Sequence, residues 1–285
     1  MTWLLWISFK RNWFKYWLAI VGLAAAVAVS SIGISGATLM WQMSKYPILH
    51  VVGGELMVLD HRVKFTGTAG RVSSGELFDN LSYSQISEAI RNVLPGAQTT
   101  GTLVVSAMHE VRSRIVLAPI YGRENNTGKW MYSVTTLEGD SLNAENEGTA
   151  VLVVPGNKTG VTLGYTHQAQ IPAYGHTDLG PWDLAGGTKV PFTVIGTFKQ
   201  PSHNSPMTSL KTLQSLTGAR DLVSFIGVVL ANPLMIEQDK QTLQQALAES
   251  HPELQVLSVD DLGALMIADF AKLEQTSARS EEHTS

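Results

Sequence analysis

Residues 17–41 read WLAIVGLAAAVAVSSIGISGATLMW, and no charged side chain occurs between Lys15 and Lys45. A hydrocarbon core of about 30 Å needs about 20 apolar residues at a rise of about 1.5 Å each, and this run supplies them. Trp13 and Trp17 stand at one end and Trp41 at the other. Indole rings prefer the headgroup level, so these three are the expected interfacial anchors. A cleavable signal peptide would carry an apolar stretch of about 7–15 residues and a clear small-residue cleavage site. Here the run is longer, and Ser35-Gly36-Ala37 is followed by more apolar residues. The expectation is a retained transmembrane helix over 17–41.

Charge sets its orientation. Lys10, Arg11 and Lys15 precede the span with no acidic residue among them, whereas Lys45 is followed by Glu55 and Asp60. The excess of positive charge predicts a cytoplasmic N-terminus and an extracytoplasmic main domain. Gly22, Ala26, Ser30, Gly33 and Ala37 recur at helical spacing, a stripe of small residues that allows close helix packing in a membrane. Residues 1–16 interleave Trp3, Leu4, Ile7 and Phe14 with the basic residues. That pattern fits a cytoplasmic amphipathic segment on the membrane surface and equally an extension of the span.

The 285 residues suffice for one large or two modest domains. Charged residues are 15% of the chain, against about 25% in a typical soluble protein, and the nearly uncharged first 45 residues contribute to that deficit. A net charge of −4 with 44% hydrophobic residues excludes disorder throughout. Twenty Lys and Arg against 24 Asp and Glu, with no basic run longer than two, give no footprint for nucleic acid. With no cysteine, a disulfide scaffold, thiol catalysis and cysteine-type zinc sites are excluded.

From Pro47 to Leu262 the composition is that of a soluble domain. Residues 55–65 alternate as a strand, 66–76 read as a loop, and Tyr83–Leu94 is an amphipathic helix with Ile86, Ala89, Ile90 and Val93 on one face. Strands are expected near 98–108, 110–121 and 130–138. Gly148 opens a series of short strands, 149–154, 168–174 and 190–198, separated by Gly- and Pro-containing loops. A strand at 223–230, a helix from Pro233 to Ser250 and a strand at 254–257 follow. The fold class is α+β: one transmembrane helix, then a split αβ domain (about 47–147 and 219–258) interrupted by a small all-β insertion (about 148–218). Ser258-Val-Asp-Asp261 reads as a helix start. Leu262, Leu265, Met266, Phe270 and Leu273 would lie near one face of that outgoing helix over 259–278, a stripe the chain ends without burying.

Several stretches carry a resemblance. They are Gly54-Glu-Leu-Met-Val-Leu59 after the span, Val134-Thr-Thr-Leu-Glu-Gly139, Gly160-Val-Thr-Leu-Gly164 and Pro191-Phe-Thr-Val-Ile-Gly-Thr-Phe198. The helix from Leu210 to Gly218 and the strand from Val223 to Leu230 complete the order. In kind and order they resemble the permease subunits of ABC transporters that have a MacB-like periplasmic core and an FtsX-like membrane domain. The resemblance implies an inner-membrane subunit that forms homodimers or heterodimers and pairs with a cytosolic ABC ATPase. ATP would bind the partner and no cofactor this chain; a periplasmic or outer-membrane partner is also implied. It further implies that 259–278 begins a stalk helix leading to three more membrane helices, for which no apolar run remains. Residues 279–285, RSEEHTS, match an in-frame reading of a common sequencing adapter, so the expectation is a fragment ending inside the stalk. The alternative from another class is a single-pass anchored extracellular binding or sensor protein; an anchored hydrolase is a third.

Catalytic signatures are absent from the sequence. There is no phosphate-binding G-x-x-x-x-G-K-[ST] loop, and Pro155-Gly-Asn-Lys-Thr-Gly160 reads as a turn. His50, His61, His167 and His176 flank strands without forming H-E-x-x-H or another close ligand pair, and are expected at the surface. No G-x-S-x-G elbow occurs. Asp60 with His61, and Asp178 with Asp183, are expected as solvated loop or edge charges. Tyr174, Pro181 and Trp182 either contact a partner or cover the β core.

Overall fold

The computed structural model describes residue 49 and residues 52–62, 65–66, 71–72, 82–111, 114–124, 136–156, 163–177, 180–198 and 205–264. The span 17–41, the amphipathic segment 1–16 and the residues after 264 lie outside the described residues. No helix among the described residues is long and apolar enough to cross a membrane. The chain divides at Tyr46/Pro47 into two compact units, and every described residue belongs to the second.

This unit is a mixed α+β domain. Its strands are β1 (Leu56–Asp60), β2 (Phe65–Thr66), β3 (Arg71–Val72), β4 (Gln98–Val111), β5 (Arg114–Arg123) and β6 (Thr136–Gly139). They continue with β7 (Val151–Pro155), β8 (Thr166–Thr177), β9 (Gly180–Phe198), β10 (Met207–Ser209), β11 (Phe225–Val229) and β12 (Leu254–Ser258). The helices are α1 (Tyr83–Val93), α2 (Leu210–Thr217) and α3 (Ile236–Ser250). Apart from the β2–β3 pair, the strands join in one hydrogen-bonded network. β4 pairs β5, β5 pairs β10, β10 pairs β7, β7 pairs β9, β9 pairs β8, and β8 returns to β4. These six strands close a ring. β11, β1 and β12 extend from β4 as an antiparallel wing, so the strands of the β insertion are continuous with those of the αβ part.

Helix starts follow local chemistry. Ser82 accepts a hydrogen bond from the Gln85 N–H, and Ser209 from the Thr212 N–H, each satisfying a donor of the first turn. Helix α1 buries Ile86 and Ile90 completely, while Ala89 and Val93 pack partly buried against the same core. Leu243 and Leu247 do the same for α3. Helices α1 and α3 touch each other and lie against β4 and β12. Within the ring, Leu103, Ile120, Ile171, Phe192 and Phe198 are fully buried. Each such side chain contributes about 1.5–3 kcal/mol relative to exposure.

Besides β3, a two-residue strand paired with β2 inside the expected 66–76 loop, two elements differ from the sequence expectation. The strand expected over 55–65 stops at Asp60, whose carboxylate accepts from both the backbone N–H (2.8 Å) and the Nε–H (2.9 and 3.0 Å) of Arg62. That short-range bond closes a turn in place of the ladder. Asp60 is itself buried, 1% exposed, and not a solvated edge charge. Burial alone would raise its pKa, but the Arg62 bonds and charge outweigh it and hold the carboxyl below its ordinary value. The second difference is β9. Gly180–Lys189, expected as a loop, pairs with β8 as far as its end at Thr177↔Gly180. Gly187 makes this possible, because a Cβ there would lie 2.5 Å from the Ile171 carbonyl oxygen; a missing side chain here permits close backbone approach.

Candidate functional site

The chain enters and leaves this domain at one place. β1 follows the incoming segment and β12 precedes the outgoing helix. The two pair in five registered positions, from Leu56↔Ser258 to Asp60↔Leu254. Beyond the strands, the Val259 N–H donates to the Glu55 carbonyl at 3.1 Å. Val52, Val259 and Leu262 are buried on the two sides of this joint. The Glu55 carboxylate, also buried, accepts the Leu230 N–H at 2.9 Å and ties the incoming segment to the end of β11. Gly227 of β11 lets that segment cross, since a Cβ there would sit 2.2 Å from the Val52 carbonyl oxygen.

The outgoing helix starts as Ser258-Val-Asp-Asp261 predicts. The Asp261 N–H donates to Ser258 Oγ (3.2 Å), and the Asp261 carboxylate accepts the Ser258 N–H (2.7 Å). This reciprocal cap satisfies two donors of the first turn. Lys240 of α3 donates to the same carboxylate at 2.8 Å and to Glu237 at 3.2 Å. The bond to Asp261, more than any other influence, raises the Lys240 pKa. For Asp261, burial pushes upward, but the bonds from Lys240 and Ser258 prevail and hold its carboxyl below the usual range. The stability this group contributes is therefore present above the ordinary carboxylate pKa and is lost as pH falls through the lowered value. Asp261→Ala removes the cap partner and the charge pair together. The expected loss is about 1–2 kcal/mol, read as a lower urea midpoint at unchanged slope; Asp261→Asn, which keeps an acceptor, loses less.

Of the residues singled out in sequence, Leu262 is 4% exposed and belongs to the domain's hydrophobic core. Leu265, Met266, Phe270 and Leu273 of the proposed stalk lie outside the described residues. So do the packing stripe Gly22, Ala26, Ser30, Gly33 and Ala37, the anchors Trp13, Trp17 and Trp41, and the orienting Lys10, Arg11 and Lys15. Tyr174 and Trp182 meet edge to face with ring centroids 5.9 Å apart and pack on the core, so they cover it.

His167, expected at the surface, is partly buried. Its Nε2 lies 2.7 Å from His109 Nδ1, and His109 Nε2 lies 3.0 Å from the Ala118 carbonyl oxygen. His109 is 4% exposed and had no local motif to announce it. Burial, and then the neighbouring His109, lower the His167 pKa to about 4. Burial likewise lowers that of His109, against the Ala118 bond. At the end of β5, the Tyr83 hydroxyl donates to the Glu124 carboxylate, and burial followed by that negative charge raises the Tyr83 pKa. Among the described residues no group of three or more metal-ligating side chains is assembled.

No protein-family model and no curated protein matches the chain. Solved structures do. The periplasmic region of MacB from Actinobacillus actinomycetemcomitans is 15% identical, with a TM-score of 0.50, over 75% of this chain and 93% of that one. The described unit has the fold of the MacB periplasmic region. Two other structures are similar at lower TM-scores. The extracellular domain of the noncanonic ABC-type transporter YknZ from Gram-positive bacteria reaches 0.45 at 13% identity, over 71% of this chain and 99% of that one. A domain of a permease protein from Porphyromonas gingivalis reaches 0.34 at 17%, over 71% and 88%.

Proposed function

We propose that this chain is a non-catalytic permease subunit of an ABC transporter, anchored in the inner membrane by residues 17–41 with the MacB-like domain outside. The observation that carries the reading is the joint. The segment arriving from the span and the helix leaving the domain are hydrogen-bonded to each other, through Val259 N–H and Glu55 C=O and the five β1–β12 pairs. A domain held at a single two-stranded root moves as a body when its root helices move. A cytosolic ATPase would drive those helices, and the outer domains of a homodimer or heterodimer would shift in response, a coupling of two sites through rigid elements. The work fits export of a substrate or release of a lipoprotein, with a periplasmic or outer-membrane partner.

The chain lacks cysteine, which makes the topology directly testable. Single substitutions Ile115→Cys and Lys10→Cys are introduced, Ile115 being 75% exposed. With a membrane-impermeant maleimide on intact spheroplasts, Ile115→Cys is expected to label at once and Lys10→Cys only after permeabilisation. Labelling of both without permeabilisation, or recovery of the unprocessed chain in the soluble fraction, refutes the reading. Co-purification of an ATPase with the tagged chain, its dependence on the outgoing helix tested with Asp261→Ala, separates a permease from an anchored sensor.

A further inference from the structure

The ring of six strands is closed between β4 and β8 by a short seam of three pairs, Met108↔Gln170, His109↔Ala169 and Glu110↔Gln168. The two imidazoles sit on this seam. Ala118's carbonyl can only accept, so His109 Nε2 carries a hydrogen and His109 Nδ1 is an acceptor; His167 Nε2 must then donate. The 2.7 Å gap holds one hydrogen. A first proton can go to His167 Nδ1 without disturbing that bond, but a second places N–H against N–H across the gap.

Charge that would offset this is absent from the facing surfaces of the described residues. Glu110 follows His109 on β4 and by strand alternation points to the other face, and so does Lys189 of β9, three positions from Phe192, the partner of His167. β5 presents Val116 and Ala118, and β9 presents Val190 and Phe192. Lys211 of α2, which also packs on β8, is engaged with Glu147 at 2.9 Å. Burial depresses protonation of both imidazoles, and the neighbouring His109 adds to it at His167, whereas the Ala118 bond acts the other way at His109 without overcoming burial.

We propose that the His109–His167 pair is an acid-sensitive latch that holds the β4–β8 seam closed when neutral and releases it when both rings are protonated. Because both groups titrate lower folded than unfolded, their contribution is present above the ordinary histidine pKa and is lost as pH falls below it. Opening is confined to the seam. β4 keeps its ten pairs with β5, and the β1–β12 root lies elsewhere.

The test is hydrogen exchange by mass spectrometry on the full chain in lipid nanodiscs, corrected for intrinsic rates. Between about pH 7 and about pH 4, peptides covering 108–110 and 168–170 should lose protection about tenfold, while β1–β12 peptides change far less. The pH response of the seam should vanish in the His109→Gln/His167→Gln double variant. Unchanged seam protection in the wild type, or a response that survives in the double variant, overturns the latch. Should the double variant fail to fold, imidazole titration by NMR in the wild type decides: ordinary histidine values for both rings overturn it, and depressed, coupled values with seam opening support it.

Discussion

Gly227→Ala is expected to lower the stability of the extracytoplasmic domain by about 3 kcal/mol, a fall in Tm of about 6–12 °C for a domain of this size. The added methyl would stand 2.2 Å from the Val52 carbonyl oxygen and 3.1 Å from the Gly53 and Val52 carbonyl carbons. No flexible side chain is there to give way; the obstruction is backbone. β11 cannot retreat either, since it is paired with β4 on one side and β1 on the other. The incoming segment must therefore lift, and that pulls on the Glu55 carbonyl that accepts from Val259 and on the carboxylate that accepts from Leu230. Stability and the joint are lost together. Gly175→Ala on β8 is the control, because a Cβ there meets nothing within 4 Å; it should change stability by less than about 0.5 kcal/mol. Thermal unfolding of the full chain in detergent, followed by circular dichroism, reads both. Equal behaviour of the two variants would remove the close crossing at Gly227 from the account of the joint.

The parts of this joint differ in how legible they are in sequence. Ser258-Val-Asp-Asp261 announces a helix start by local chemistry, and the cap forms as read. The period of Tyr83–Leu94 places Ile86 and Ile90 inward, as found. What no local pattern carries is pairing: β1 and β12 lie about 200 residues apart, and hydrophobic alternation says which face a strand buries but not beside which strand it lies. The burial of Asp60 is hard to read from sequence for a related reason. A charged residue at a strand end is usually solvated, and only the Asp-x-Arg spacing hinted that Arg62 would fold back onto it. For His109 the sequence carries no motif, only strand alternation. Leu103, Val105 and Ala107 alternate on one face of β4, and the same count sends position 109 inward. Gly186 and Gly187 read as breakers because glycine weakens strands on average; here Gly187 sits against the Ile171 carbonyl and serves the register shift between Ile171 and Ala173.

Phe192→Ala should have the largest effect in the ring, about 3–5 kcal/mol, from lost transfer energy and the cavity left behind. Phe192 is fully buried on β9 opposite His167, and β9 is the strand that pairs with β6, β7 and β8. The ring cannot close over the gap by moving one neighbour, because each strand is held on both sides. Leu234→Ala, at a site 91% exposed, is the matching control and should stay within about 0.5 kcal/mol. The manner of unfolding matters more than its size. β4, β5 and β10 belong both to the ring and to the network that reaches the root, so damage at Phe192 should pass through the shared strands. Urea unfolding should remain a single transition, shifted to lower midpoint at unchanged slope, with exchange protection falling in β1–β12 as well as in β8–β9. A second, separate transition for β7–β9 would mean that the ring's outer strands fold on their own, and a root that moves would then not carry the ring with it. Mechanical transmission from the joint to the far strands requires the single transition.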